Sequence, residues 1–169
     1  AVLGSMAGVA AGMALPAWAQ SSYPSKPLTL IVPNPPGGNT DILARIFSVP
    51  LAKALGQPVV VENRAGAGGN VASGIVAKAA PDGYTLMINT SSLAVNVSLS
   101  KNPGFDAEKD FTLASVVASS PNLLVAYPGL KPKNLQEIVA EAKSGKLNYG
   151  TAGAGTTPHL TAEYLFKVL

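Results

Sequence analysis

Leu28-Thr29-Leu30-Ile31-Val32-Pro33-Asn34-Pro35-Pro36-Gly37-Gly38-Asn39-Thr40-Asp41 is the stretch on which the fold turns. Leu28 to Val32 is a short, nearly continuous apolar run of the kind that forms a buried strand. The proline and glycine residues that follow cannot extend it and mark a turn. Ile42, Leu43 and Ile46 then recur at helical spacing. A helix start leaves its first N–H groups without intrahelical partners and carries partial positive charge, so such a turn suits a small anion.

The same sequence of events recurs near the end of the chain. Leu147-Asn148-Tyr149 empties into Gly150-Thr151-Ala152-Gly153-Ala154-Gly155-Thr156-Thr157-Pro158-His159, and Leu160, Tyr164 and Leu165 follow at helical spacing. Two such turns facing each other would form a clamp. Neither is a nucleotide fingerprint: the second lacks the G-x-G-x-x-G spacing and no Lys follows a glycine as a P-loop requires. ATP and NAD are therefore not expected, and no cofactor is assigned.

Strand-like and helix-like segments alternate between these turns, the pattern of an α/β fold with a largely parallel sheet. A helix is expected from about Thr40 to Phe47, broken at Pro50 and resumed through Leu51 to Leu55, with Gly56 as its stop. Pro58 to Glu62 reads as the second strand, and Asn70 as the cap of a helix reaching Ala79. Pro81-Asp82-Gly83 is a turn into the third strand, Tyr84 to Ile88, which ends in Asn89-Thr90-Ser91-Ser92. A short helix over Leu93 to Leu99 follows. From Phe111 the pattern changes: Leu113 to Ala118 and Leu123 to Tyr127 read as strands crossing between domains. Leu135, Ile138, Val139 and Ala142 mark an amphipathic helix stopped at Gly145, and Leu147 to Tyr149 reads as another short strand. The expected division is a signal remnant over 1–19, a first domain over 20–112 and the first part of a second over 113–169.

Composition narrows the function classes. Of the 169 residues 47% are hydrophobic and 12% charged, enough apolar surface for a core. The net charge of +3 comes without a basic run, which argues against nucleic acid as a partner. Without cysteine there is no disulfide framework, thiolate metal site or Cys nucleophile, and one histidine cannot build a His-rich metal site. Asp106, Glu108 and Asp110 lack the glycine and terminal Glu of a calcium loop and read as a solvated turn. Ala1 to Ala19 is uncharged, rich in small and apolar residues, and ends in Ala17-Trp18-Ala19 before Gln20. That pattern predicts the hydrophobic part and cleavage site of a secretory signal, entered partway, and an exported cysteine-free protein fits a bacterial periplasm.

His159 tests an enzyme reading. Thr156 or Thr157 beside it suggests nucleophilic catalysis, yet no G-x-S-x-G elbow exists and any orienting acid is distant in sequence. A neutral His159 donating one hydrogen bond, to a ligand or the backbone, is the preferred reading. Asp41 has two readings of equal standing, a capping acid at its helix start and a ligand contact.

Six strings in order carry a resemblance. They are Tyr23-Pro24-Ser25-Lys26-Pro27, Pro33 to Asp41, Gly56-Gln57-Pro58-Val59-Val60-Val61-Glu62-Asn63-Arg64, Gly66-Ala67-Gly68-Gly69-Asn70, Ala80-Pro81-Asp82-Gly83-Tyr84-Thr85-Leu86 and Gly155-Thr156-Thr157-Pro158-His159-Leu160. Together they resemble the Bug family of extracytoplasmic solute receptors of tripartite tricarboxylate transporters, over essentially every residue from Tyr23 onward. The resemblance implies a type II, Venus-flytrap periplasmic binding protein of two α/β domains, here incomplete, because family members run to roughly twice this mature length. It implies a small carboxylate between the domains, whether a di- or tricarboxylate, an amino acid or an aromatic acid, delivered to membrane permease subunits by a monomeric receptor in the periplasm of a Gram-negative bacterium. Carried onto this sequence, the ligand contacts are Gly37, Gly38, Asn39, Thr40 and Asp41 on one side, Thr90 and Ser91 at the rear, and Gly155, Thr156, Thr157 and His159 opposite. Where the family often has a third glycine, this chain has Asn39. The competing readings are a ligand-binding sensor subunit and a Thr/His hydrolase.

Overall fold

The computed structural model describes residues 22–169, so the signal sequence expected over 1–19 lies outside the described residues. Three parallel strands form the sheet: β1 (Leu28–Val32), β2 (Val59–Asn63) and β3 (Thr85–Met87), in the order β2-β1-β3. Leu30 lies opposite Val61 on one side and Leu86 on the other. The central strand has a ladder on both edges, and four of its five residues are buried. That burial explains its continuous apolar run, since a strand covered on both faces has no polar face to alternate with.

Helix α1 (Asn39–Leu55) returns the chain from β1 to β2, and buried Ala44 joins Leu30 and Val32 in the core, with Val59, Val61, Leu86 and Ile88 packed around them. Burying side chains such as Leu30 and Val32 contributes about 1.5–3 kcal/mol each. Gly56, at φ 69°, ends α1 in the left-handed conformation and donates its N–H to Ala52 O. The expected break at Pro50 does not occur; α1 runs through it. Pro50 and Ile46, whose carbonyl loses its i+4 donor, both lie on the exposed side of the helix, where water replaces the missing bond.

After β2 the chain makes a 3-10 turn over Ala67–Gly69 and enters α2 (Asn70–Ala77). Gly69, not Asn70, stands at the cap, and the Asn70 amide instead donates to Ser100 Oγ at 2.9 Å. The turn before β3 forms as its sequence predicts, with Asp82 Oδ1 accepting from Tyr84 N at 3.1 Å. Tyr23 OH donates to Gly83 O at 2.7 Å and Ser25 N to Tyr84 OH at 2.8 Å, which fastens the start of the described chain to that turn.

Helix α3 (Ser92–Leu99) follows β3, and α4 (Leu135–Lys143) and α5 (Thr157–Val168) come later. Asn134 Oδ1 caps α4 by accepting from Glu137 N, while Glu137 reaches back to Lys133 N at 2.8 Å. The strands expected over 113–118, 123–127 and 147–149 are absent. Their residues have the composition of strands, but a strand persists only with a ladder partner, and among the described residues none pairs with them. Leu113 and Val125 consequently stand 83% and 82% exposed.

Candidate functional site

The first turn is built around a buried carboxylate. Asp41, 3% exposed in the first turn of α1, accepts from Gly37 N at 2.8 Å through Oδ2 and from Asn63 Nδ2 at 2.9 Å through Oδ1. Arg45 lies one helical turn on and pairs with it, Nε to Oδ2 at 3.1 Å and Nη2 to Oδ1 at 3.0 Å. The Arg45 hydrogen bond, reinforced by those from Gly37 and Asn63, lowers the Asp41 carboxyl from its ordinary 3.8 to about 2. Asp41 does not cap α1 through its side chain; its two oxygens are engaged by Gly37 N–H, by Arg45 one helical turn on and by Asn63 at the end of β2.

Gly37 takes φ 83°, a conformation that favours glycine, and its N–H is held by Asp41, so it shapes the turn. Gly38 is the cap of α1, and the first helical bond runs from Ile42 N to Gly38 O at 3.0 Å. The N–H groups of Asn39, Thr40 and Asp41 therefore precede the helical ladder. Helix α5 begins in the same manner: Thr156 caps it and Leu160 N donates to Thr156 O at 3.0 Å. Pro158 has no N–H, which leaves those of Thr157 and His159 at this helix start.

The structure joins the end of β3 to the start of α5. Thr157 Oγ1 lies 3.3 Å from Thr90 Oγ1 and 3.4 Å from Ser91 Oγ, and Thr90 Oγ1 lies 2.9 Å from Ser92 Oγ. Gly38, Asn39, Thr40, Thr90, Ser91, Thr156 and Thr157 line one open hollow of about 1910 Å³, together with residues 117–127 and parts of α4 and α5. Gly37, Asp41, Gly155 and His159 are not among the residues that line it. The hollow exceeds the ~300–1,000 Å³ usual for small-molecule sites, because the exposed segment 117–127 leaves it wide. A second cavity, of about 290 Å³, lies between Pro33–Pro35, the Ala65–Gly69 loop and Ala152–Ala154.

Of the two partners expected for a donating His159, a ligand or the backbone, the backbone contact present is one in which the ring accepts. Its Nδ1 accepts from Gly155 N at 3.4 Å, which puts the ring proton of the neutral form on Nε2. Nε2 is 4.0 Å from Glu163 Oε1, and Glu163 also accepts from Tyr149 OH. Thr156 Oγ1 donates to Gly153 O at 2.6 Å, so both side chains fold back on the second turn.

Two residues that sequence reasoning missed hold this arrangement. Asn63 joins the two ends of the first turn, and its signal was its place at the carboxyl end of a parallel strand, where open α/β sheets bind ligands. Asn96 is buried on α3 and donates to Gly68 O at 2.8 Å. Side chains added at Gly68 and Gly155 would meet Ala154 O at 2.8 Å and Asn96 Oδ1 at 2.7 Å, so the two Gly-rich loops approach as closely as bare backbone permits. No local pattern announces a contact between residues so distant in sequence. Among the described residues, no three His, Cys, Asp or Glu side chains gather to hold a metal ion, and no helix is long and apolar enough to cross a membrane.

The chain is similar in sequence and fold to known proteins. Residues 43–168 match the model of the tripartite tricarboxylate transporter family receptor. Protein BugT of Bordetella pertussis is 42% identical over 162 residues, covering 94% of this chain and 49% of BugT. A solved R. palustris protein with adipate superposes with a TM-score of 0.79 at 36% identity, covering 85% of this chain and 49% of that one. MatC from Rhodopseudomonas palustris, solved with bound malate, gives 0.79 at 36% identity, with 86% and 51% covered. The chain spans about half the length of the curated relatives it matches.

Proposed function

The chain belongs to the tripartite tricarboxylate transporter receptor family, and we propose that it contributes to a periplasmic receptor that captures a small carboxylate for a membrane permease. The observation that carries this reading is the common hollow onto which two helix starts and the hydroxyls of Thr90, Ser91 and Thr157 open. The donors that border it are the N–H groups of Asn39 and Thr40 at α1 and of Thr157 at α5, with the hydroxyls of Thr90 and Ser91. Hydrogen bonds to a charged group contribute about 1.5–3 kcal/mol each, so four or five reach the ~8 kcal/mol of micromolar binding. Arg45 is not required as a ligand cation, since Asp41 already engages it.

A dicarboxylate is the ligand class we favour, as adipate and malate accompany two of the similar structures. Residues 20–112 carry the sheet and act as the first domain in this reading, and 113–169 contribute α4 and α5 to the second. Nothing in the reading needs catalysis: His159 Nδ1 is engaged by Gly155 N–H, Thr156 Oγ1 donates to Gly153 O and Thr157 Oγ1 lies against the Thr90 and Ser91 hydroxyls, so neither threonine hydroxyl is paired with His159. Isothermal titration with malate, adipate, succinate, citrate, glutamate and benzoate tests the proposal. Saturable heat with at least one dicarboxylate is expected; none with any acid would refute it.

A further inference from the structure

Asn63 stands where the two ends of the first turn meet. It is the last residue of β2, in register with Val32, where the chain leaves β1 for the turn. Its Nδ2 donates to Asn34 O at 3.0 Å and to Asp41 Oδ1 at 2.9 Å, while its Oδ1 accepts from Arg45 Nη2 at 3.1 Å. Asn34 opens the turn and Asp41 closes it, so a single amide ties both ends to a strand of the sheet. Asp41 in turn holds Gly37 N, which places the glycine corner under the same control.

The residue type matters because only an amide supplies both donors and the acceptor without charge. A leucine of similar size would supply none of these bonds. An aspartate would set a second carboxylate where the donor now stands, 2.9 Å from Asp41. Arg45 and Asp41 balance each other, so the network behind the turn adds no net charge to an anion site.

We propose that Asn63 is a positioning residue for the anion-facing turn: without touching the ligand, it holds Asn34 and Asp41 so that the N–H groups of Asn39 and Thr40 stay set at the hollow. Its purpose rests on the carboxylate reading above, whereas its geometry does not. Donors ordered before binding need no ordering during it, and a turn containing Gly37 and Gly38 would otherwise lose much conformational freedom when a ligand arrived.

The test uses Asn63→Leu and Asn63→Asp in the full chain, with amide exchange followed by NMR and with malate and adipate as probes. Gly37 N–H should exchange about tenfold faster or more in both variants, while Leu30 and Ile31 in β1 keep their protection, because only the turn is released. Probe affinity should fall about tenfold as ordering moves into the binding step. The Asp41 carboxyl should titrate higher in both. If Asn63→Leu fails to fold, the isosteric Asn63→Asp carries the measurement. Unchanged exchange at Gly37, or an equal acceleration in β1, would overturn the proposal by reducing Asn63 to a packing residue. Localised exchange in a chain that binds neither probe would uphold the hold on the turn and count against the ligand reading alone.

Discussion

Asp41 shows how one side chain links stability to the shape of the site. Its carboxyl is depressed to about 2 by Arg45, Gly37 and Asn63, so the native state favours the ionised form more than the unfolded chain does. The resulting stability is fully present above the ordinary 3.8 and is lost as pH falls toward 2. Asp41→Asn should therefore be less stable than the parent at neutral pH and should lose less stability between pH 4 and pH 2. Thermal melts of both proteins across that window check this, and parallel curves would contradict it. Asp82 and Asp106 are also lowered, so the difference between the two proteins isolates Asp41.

Glycines in the second turn divide by environment. Gly155 has φ 78° and its missing side chain faces Asn96 Oδ1, whereas Gly150 has open space around it. Gly155→Ala should cost about 1–3 kcal/mol in denaturant unfolding, and Gly150→Ala should stay within about 0.5 kcal/mol of the parent. Equal effects would mean that the two loops do not approach as described.

At the scale of elements, α1 invites a change that its sequence misrepresents. Pro50 lies inside the helix on its exposed side, so Pro50→Ala restores a backbone donor to Ile46 O without disturbing the core. A gain of about 1–3 kcal/mol is expected from helix propensity, partly offset by the freer unfolded chain, and a lower melting temperature would contradict it. Asn134→Ala removes the side-chain cap of α4 and should cost about 1 kcal/mol.

These elements also show what can be read from a sequence. β1 and the start of α1 were legible because their signals are local: an apolar run, a glycine turn and helical spacing. The continuation of α1 through Pro50 was not, since tolerance of an interior proline depends on which face it occupies. Segments 113–118 and 123–127 carry the composition of strands, but pairing is a long-range property that composition does not contain. At the site, the hydroxyl and glycine residues stood out by type, while Asn63 and Asn96 act through contacts across 28 or 29 positions of sequence.

For the whole molecule, two helix starts border one hollow, with the Gly68 loop packed against Ala154 of the second turn and the Thr90 and Ser91 hydroxyls set against Thr157 Oγ1. The parallel sheet places the first turn at the carboxyl ends of its strands, the usual ligand edge of such sheets. In the proposed reading, backbone donors at both helix starts are indifferent to the rest of the ligand, which makes the carboxylate the common element of recognition and leaves its substituents to side chains such as Asn39.

An NMR titration of the chain with malate, following each backbone amide, tests that claim most directly. Saturable shifts centred on Asn39 and Thr40 on α1 and Thr157 on α5, with one shared dissociation constant, are expected if both helix starts grip a single carboxylate ligand. Saturation at one helix start alone, shifts elsewhere only, or no shift at any concentration would contradict it.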